Sequence, residues 1–124
     1  MRMMKSFAAA AMLAAAIAPA SAASPEGMWQ TAKGDARYRV SACGGESLCA
    51  TLVWLRDDAR KPKNLRYLNK TVVKAAQVAD NRWRGSVNID GKRAKGSITM
   101  IDADSIRVEG CKALFCRTIA FERI

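Results

Sequence analysis

Across most of the chain apolar and polar residues alternate with a period of two, broken at short intervals by turn-forming pairs, as half-buried β-strands require. The stretch from Arg37 to Leu55, RYRVSACGGESLCATLVWL, sets two cysteines around a Gly-rich turn between two such runs. With Cys43 opposite Cys49, Ala42 faces Ala50, Val40 faces Leu52 and Tyr38 faces Trp54, which makes one side of the hairpin apolar. The other side carries the cysteines, Ser41 with Thr51, and Arg39 with Val53. Upstream, Met28 to Thr31 begins a first strand, Trp29 reads as a plug at the end of the core, and Lys33-Gly34-Asp35 turns the chain.

Thr71 to Ala79 is a further strand, and Asp80-Asn81 turns it into Arg82 to Ile89. Asp90-Gly91 is the strongest hairpin signal, because a type I′ loop needs positive φ at both central positions. Its register pairs Ile89 with Lys92, Val87 with Ala94, Gly85 with Gly96 and Trp83 with Ile98 on an apolar face. Asn88 with Arg93, Ser86 with Lys95, Arg84 with Ser97 and Arg82 with Thr99 form a cationic one. The last hairpin runs from Ile106 to Arg123. With Cys111 opposite Cys116, Val108 meets Ile119 and Ile106 meets Phe121 inside, and Glu109 meets Thr118 outside. About eight strands follow, with no βαβ spacing and no convincing helix after the N-terminal leader. The fold expected is an all-β, antiparallel up-and-down barrel, which removes the exposed edges of an open sheet. A two-sheet β-sandwich is the alternative.

One stretch breaks the alternation. Arg56 to Lys70, RDDARKPKNLRYLNK, is a long basic loop with Pro62 at its middle and one helical turn expected near Leu65 to Leu68. Lys74 depends on the neighbouring turn: a two-residue Asp80-Asn81 loop points it inward with Trp83, and a loop one residue longer points it outward.

Composition adds a compartment. Arg2 and Lys5, the apolar run Phe7 to Ala18 and the Ala20-Ser21-Ala22 cleavage pattern read as a secretory signal peptide over residues 1–22. Residues 23–124 then form one domain with no transmembrane segment, exported to the periplasm or secreted. Four cysteines in such a chain read as two disulfides, Cys43 with Cys49 and Cys111 with Cys116, since each pair flanks a turn and sorts its strands. A four-thiolate metal site is the other reading, although the spacing departs from C-x2-C and an oxidising compartment competes for the thiols. The formal net charge is +10, which favours acidic partners or surfaces.

In order along the chain, Gly27-x-Trp29, Cys43-Gly44-x4-Cys49 leading toward Trp54, Trp83-x-Gly85, Val108-x-Gly110 and Arg117 resemble the DUF2147 family of small exported bacterial proteins. The resemblance covers nearly all of residues 23–124 and implies a lipocalin-like, calycin-type barrel without established enzymatic activity. This chain departs from the family pattern at Ala50, where a second glycine is usual, and in the basic run Lys61 to Lys70. The tyrosines of the family are absent around Ile89-Asp90-Gly91-Lys92, and Phe121 stands for a closing tryptophan. Ligand contacts made by those aromatics do not transfer.

The chain has no histidine, which excludes the usual general base, a Ser-His-Asp triad and histidine metal sites. Asp57 with Asp58 and Asp102 with Asp104 lie in turns, where carboxylates are ordinarily solvated. The expectation is a protein that is not an enzyme and uses no cofactor. The first functional reading is a barrel holding a small apolar or amphipathic ligand, with Tyr38, Trp54 and Trp83 toward a mouth and an inward Lys74 as an anchor for an acidic head. The same aromatics could instead fill a solid core. The second reading is a cationic module binding anionic envelope polymers or lipid head groups through Arg82, Arg84, Arg93 and Lys95 with the loop residues Arg60, Lys61, Lys63 and Arg66. Nucleic acid suits such charge, but export argues against it.

Overall fold

The structure, a computed structural model, describes residues 24–89 and 91–124. The signal peptide expected over residues 1–22 lies outside the described residues, as does Asp90 of the expected type I′ pair. Eight strands form a closed antiparallel barrel in chain order, β1 (Gly27–Thr31), β2 (Ala36–Ala42), β3 (Ser47–Leu55), β4 (Thr71–Ala79), β5 (Arg82–Ile89), β6 (Lys92–Asp102), β7 (Ser105–Lys112) and β8 (Phe115–Arg123), with β8 returning to pair with β1. Between β3 and β4 lie a 3-10 turn, Asp57–Ala59, and a single-turn helix α1, Pro62–Leu65, which starts on its proline as that residue's fixed φ favours. The helical turn thus falls slightly earlier than the Leu65 to Leu68 stretch. Among the described residues no helix is long and apolar enough to cross a membrane.

Two hairpins take the expected registers. β5 and β6 pair from Arg82↔Thr99 to Ile89↔Lys92, and β7 and β8 pair Ile106↔Phe121, Val108↔Ile119 and Cys111↔Cys116. The β2–β3 hairpin is displaced by two residues: Val40 pairs with Ala50 and Tyr38 with Leu52, while Ser41, not Cys43, opposes Cys49. The reason is the turn, which closes on the backbone bonds Cys43 N–H to Ser47 O at 3.1 Å and Ser47 N–H to Gly44 O at 2.9 Å. Cys43 and Cys49 are still bridged, with Cα atoms 5.7 Å apart, and Cys111 and Cys116 are bridged at 4.0 Å.

The core sits in the barrel interior. Trp29, Val40, Leu48, Ala50, Val73, Ala75, Trp83, Val87, Ile98, Met100, Ile106 and Phe121 are buried together, and Ala36, Leu52 and Leu55 form a smaller cluster beneath Tyr67 and Leu68 of the long loop. Glycine is required where β4, β5 and β6 come closest: a Cβ on Gly85 would lie 1.9 Å from the Lys74 carbonyl oxygen, and one on Gly96 would lie 2.2 Å from Val87 Cγ2.

An up-and-down barrel has two ends, and here they differ in kind. One end gathers the chain before β1, the β2–β3, β4–β5 and β6–β7 turns, and the end of β8. Trp29, fully buried, donates its indole N–H to Pro25 O at 2.8 Å, and the Arg123 guanidinium lies 4.4 Å over its ring. Arg123 also donates to Glu26 O at 2.8 Å, Ser24 O at 2.6 Å and Ala103 O at 2.9 Å, clasping the leading segment across this end. Trp83, Leu48 and Met100 fill the space behind it. The other end carries the β1–β2, β5–β6 and β7–β8 turns and the long loop.

Candidate ligand-binding site

The second end opens into a pocket of about 820 Å³, within the size range of small-molecule sites. Its wall is made by inward-facing residues of alternating strand positions: Trp29, Tyr38, Val40, Ala50, Leu52, Val73, Val87, Ile98, Ile106, Val108, Ile119 and Phe121. Ile119 shares the inward row of Phe121 yet is 37% exposed, so the lumen is reached from outside at β8.

One row across neighbouring strands is built from small residues and ends at the pocket. Ala75 pairs with Gly85, Gly85 with Gly96, Gly96 with Gly110, and Gly110 with Arg117. Of this row Gly110 and Arg117 line the pocket, while a Cβ on Gly85 would meet the Lys74–Ala75 backbone and one on Gly96 would meet Val87. Arg117 is exposed and engaged with the surrounding structure.

The rim is polar, and four of its five charged side chains are basic. Lys33 and Asp35 come from the β1–β2 turn, Lys63, Asn64, Arg66 and Tyr67 from the long loop, Asn88 from β5, and Arg117 and Thr118 from β8. The loop is fastened at both flanks. Arg56 binds Asp58 through two nitrogens at 2.6 and 2.9 Å and donates to Lys33 O at 3.0 Å, which lowers the Asp58 carboxyl below its ordinary value. Further on, Leu52 and Leu68 form a parallel bridge, and Asn69 N–H donates to Leu52 O at 2.6 Å. From the loop the Arg66 guanidinium reaches the β5–β6 turn, where it would come within 2.7 Å of a Cβ built on Gly91.

Tyr38 is the titratable group that faces this apolar wall. Its ring meets Phe121 edge to face at 5.2 Å. Burial pushes the phenol above its ordinary pKa, and the charge of Asp35 adds to the shift, so Tyr38 is a neutral hydrogen-bonding group at the pocket wall.

The residues singled out in the sequence divide as follows. Tyr38 lines the pocket, and Trp83 is 6% exposed in the plug of the closed end, outside the pocket lining. Trp54 requires a correction. A bulge shifts the register between Arg37 and Tyr38, so Trp54 pairs with Arg37 on the outer face, under a guanidinium 4.4 Å from its ring, and Leu55 is buried instead. Lys74 is exposed and points outward. The Asp80-Asn81 loop is tight, with Ala79 paired to Arg82, but an irregularity between Gln77 and Ala79 makes Val78 an extra residue, and this resets the faces of β4. Arg82, Arg84, Arg93 and Lys95 are exposed on β5 and β6, Arg60 and Lys61 are exposed in the loop, and Lys63 and Arg66 stand at the mouth.

Asp35, Asn64, Tyr67, Arg117 and Phe121 join the site without having been singled out for it. Arg117 was within reach of the sequence: once Cys111 opposes Cys116, Gly110 opposes Arg117 on the inward row. Glu109 lies close to the Cys111 and Cys116 sulfurs, but those sulfurs are bonded to each other and offer no thiolate to a metal.

Residues 27–123 match the family described as "Uncharacterized protein conserved in bacteria (DUF2147)". No curated protein and no solved structure matches the chain.

Proposed function

The chain belongs to the DUF2147 family of bacterial proteins, and from the barrel it builds we propose that it is a noncatalytic, exported carrier of a small amphipathic ligand. The observation that carries the reading is the pocket of about 820 Å³, apolar in its depth and basic at its mouth. An acyl chain would lie along the inward rows of β2, β3, β6 and β7. An acidic head would meet Lys63, Arg66 and Arg117 at the rim, with the neutral Tyr38 phenol beside it. Burial of the chain supplies affinity, and the few convergent polar groups supply orientation.

A second reading places binding on the outer wall, where Lys74, Arg84, Arg93 and Lys95 are exposed on three neighbouring strands and a shallow groove of about 330 Å³ runs between Lys74 and Arg93. An anionic polymer bound there would leave the lumen empty.

Val108→Phe separates the two. Val108 borders the pocket and is only partly buried, so an open lumen accepts the larger ring with a stability change under about 1 kcal/mol. A naturally fluorescent polyene fatty acid should then bind the parent protein and lose about tenfold or more in affinity in the variant. A filled interior predicts the reverse: overpacking costs about 1–3 kcal/mol, and neither protein takes up the probe. Wall binding of an anionic polymer would be unchanged by the substitution and would fall steeply with salt.

A further inference from the structure

The two ends of the barrel differ in charge balance: acidic residues outnumber Arg82, Arg107 and Arg123 at the closed end, and basic residues outnumber Asp35, Asp57 and Asp58 at the open end. Around the closed end lie Glu26, Glu46, Asp80, Asp102, Asp104 and Glu122, brought there by three turns and the flanks of β1 and β8. Around the open end lie Lys33, Lys63, Arg66, Lys92, Lys112 and Arg117, from the other three turns and the loop. Beyond this basic rim stands the tip of the β7–β8 hairpin. Ala113 takes φ 55° in the turn, Leu114 is 96% exposed and Phe115 is 82% exposed. The hairpin is stapled directly behind the tip by Cys111–Cys116, whose Cα atoms are 4.0 Å apart.

An adjacent aliphatic and aromatic pair held out in water, with cations on either side of it at Lys112 and Arg117, is costly unless an apolar phase covers it. The Lys92 and Lys112 ammonium groups crowd each other beside it, and this lowers the Lys112 pKa, a repulsion that phosphates would relieve. Aromatic and aliphatic side chains beside lysine and arginine match the boundary between headgroups and acyl chains of an anionic bilayer. The acidic far end turns the same way, since a membrane of negative charge repels it and orients the molecule mouth first.

We propose that the open end of the barrel docks on an anionic lipid bilayer, with Leu114 and Phe115 entering the interface and the basic rim contacting lipid phosphates. The docking brings the mouth of the pocket against the membrane, so an amphipathic molecule can pass between bilayer and barrel without crossing water. It does not depend on the pocket being occupied. Val108→Phe should leave it intact, so this inference and the carrier reading fail separately.

The test is flotation with vesicles of equimolar phosphatidylglycerol and phosphatidylcholine, with pure phosphatidylcholine alongside. The protein should float with the anionic vesicles only, and Leu114→Ser with Phe115→Ser should weaken this about tenfold or more. Residues 1–110 are the same in both proteins, so any contribution of the apolar run Phe7 to Ala18 cancels. A second variant guards against misfolding: in Phe115→Trp, brominated acyl chains should quench more of the indole emission than in the parent, whose Trp29 and Trp83 are buried in the barrel and whose half-buried Trp54 lies under Arg37 on the outer wall and sets the background. Free glycerol phosphate in excess should not release the protein, and release by it would mean a phosphate site rather than a bilayer surface. Equal binding to neutral vesicles, no loss in the double serine variant, or self-association abolished by that variant would each overturn the proposal. The last outcome would mean that the basic end meets the acidic end of a second copy.

Discussion

The closed and open ends of this barrel are finished from the same eight strands, and the contrast shows how a small barrel separates stability from access. At the closed end large side chains point inward and the chain is tied across them. Trp29, Trp83 and Met100 fill the lumen, and Arg123 gathers three carbonyls over Trp29. At the open end Tyr38, Val108, Gly110 and Ile119 line the pocket wall, and long basic side chains from the loop and β8 stand at the mouth. One end therefore holds most of the packing energy and the other most of the chemistry.

The largest expected effect tests the packing half of that division. Trp83→Ala empties a buried indole site and should cost about 3–5 kcal/mol, read as a lowered midpoint in urea. The fatty-acid probe should still bind at temperatures where the variant stays folded, because Trp83 does not line the pocket. Loss of probe binding with an unchanged midpoint would erase the distinction between the ends.

A matched pair of arginines sharpens it. Arg123→Ala removes the cation over Trp29 and three charge-assisted hydrogen bonds, worth about 2–3 kcal/mol together. Arg66→Ala, at the mouth, removes an exposed guanidinium stacked 5.1 Å from Tyr67 and bonded to Lys63 O at 3.2 Å. Its stability change should stay within about 0.5 kcal/mol, with the effect appearing instead in probe affinity. Equal destabilisation by the two would show that the long loop is as much a part of the folding unit as the clasp.

The sequence was most legible where a turn type dictates register. Asp90-Gly91 and the Cys111–Cys116 pair each specify which residues oppose, and both registers hold along whole strands. The β2–β3 hairpin misleads because a slip of two residues keeps every side chain on its own face, so the apolar pattern is the same in both registers. A disulfide does not settle the choice, since it joins diagonal neighbours here as well as direct ones elsewhere. Bulges are harder still. One extra residue in β3 turns Trp54 out and Leu55 in, and another in β4 turns Lys74 out, with no mark in the pattern of apolar residues. The pocket mouth was the least legible part, because Lys63, Arg66, Asn64 and Tyr67 belong to a loop without periodicity that folds over the barrel through Leu68 and Asn69.

The smallest effect concerns the group that links the two ends. Tyr38 stands on the pocket wall and rests edge to face on Phe121 of the core. Burial, with Asp35 beside it, holds its pKa above the ordinary phenol value. The unfolded chain therefore gives up the Tyr38 proton at a lower pH than the folded one. Stability from the neutral, buried phenol is fully present below the ordinary phenol pKa, and it is lost as pH rises from there through the higher folded-state value. Tyr38→Phe removes this one contribution and should leave neutral-pH stability within about 1 kcal/mol of the parent. In urea titrations at rising alkaline pH the variant should lose stability less steeply than the parent, from which it differs at this one group. Ligand should act in the same direction as the pH rises: an acidic head near Asp35 would strengthen the field that keeps Tyr38 protonated, displacing the alkaline loss further upward. Parallel slopes for parent and variant would place the phenol in water and make the pocket wall at β2 part of the solvent face.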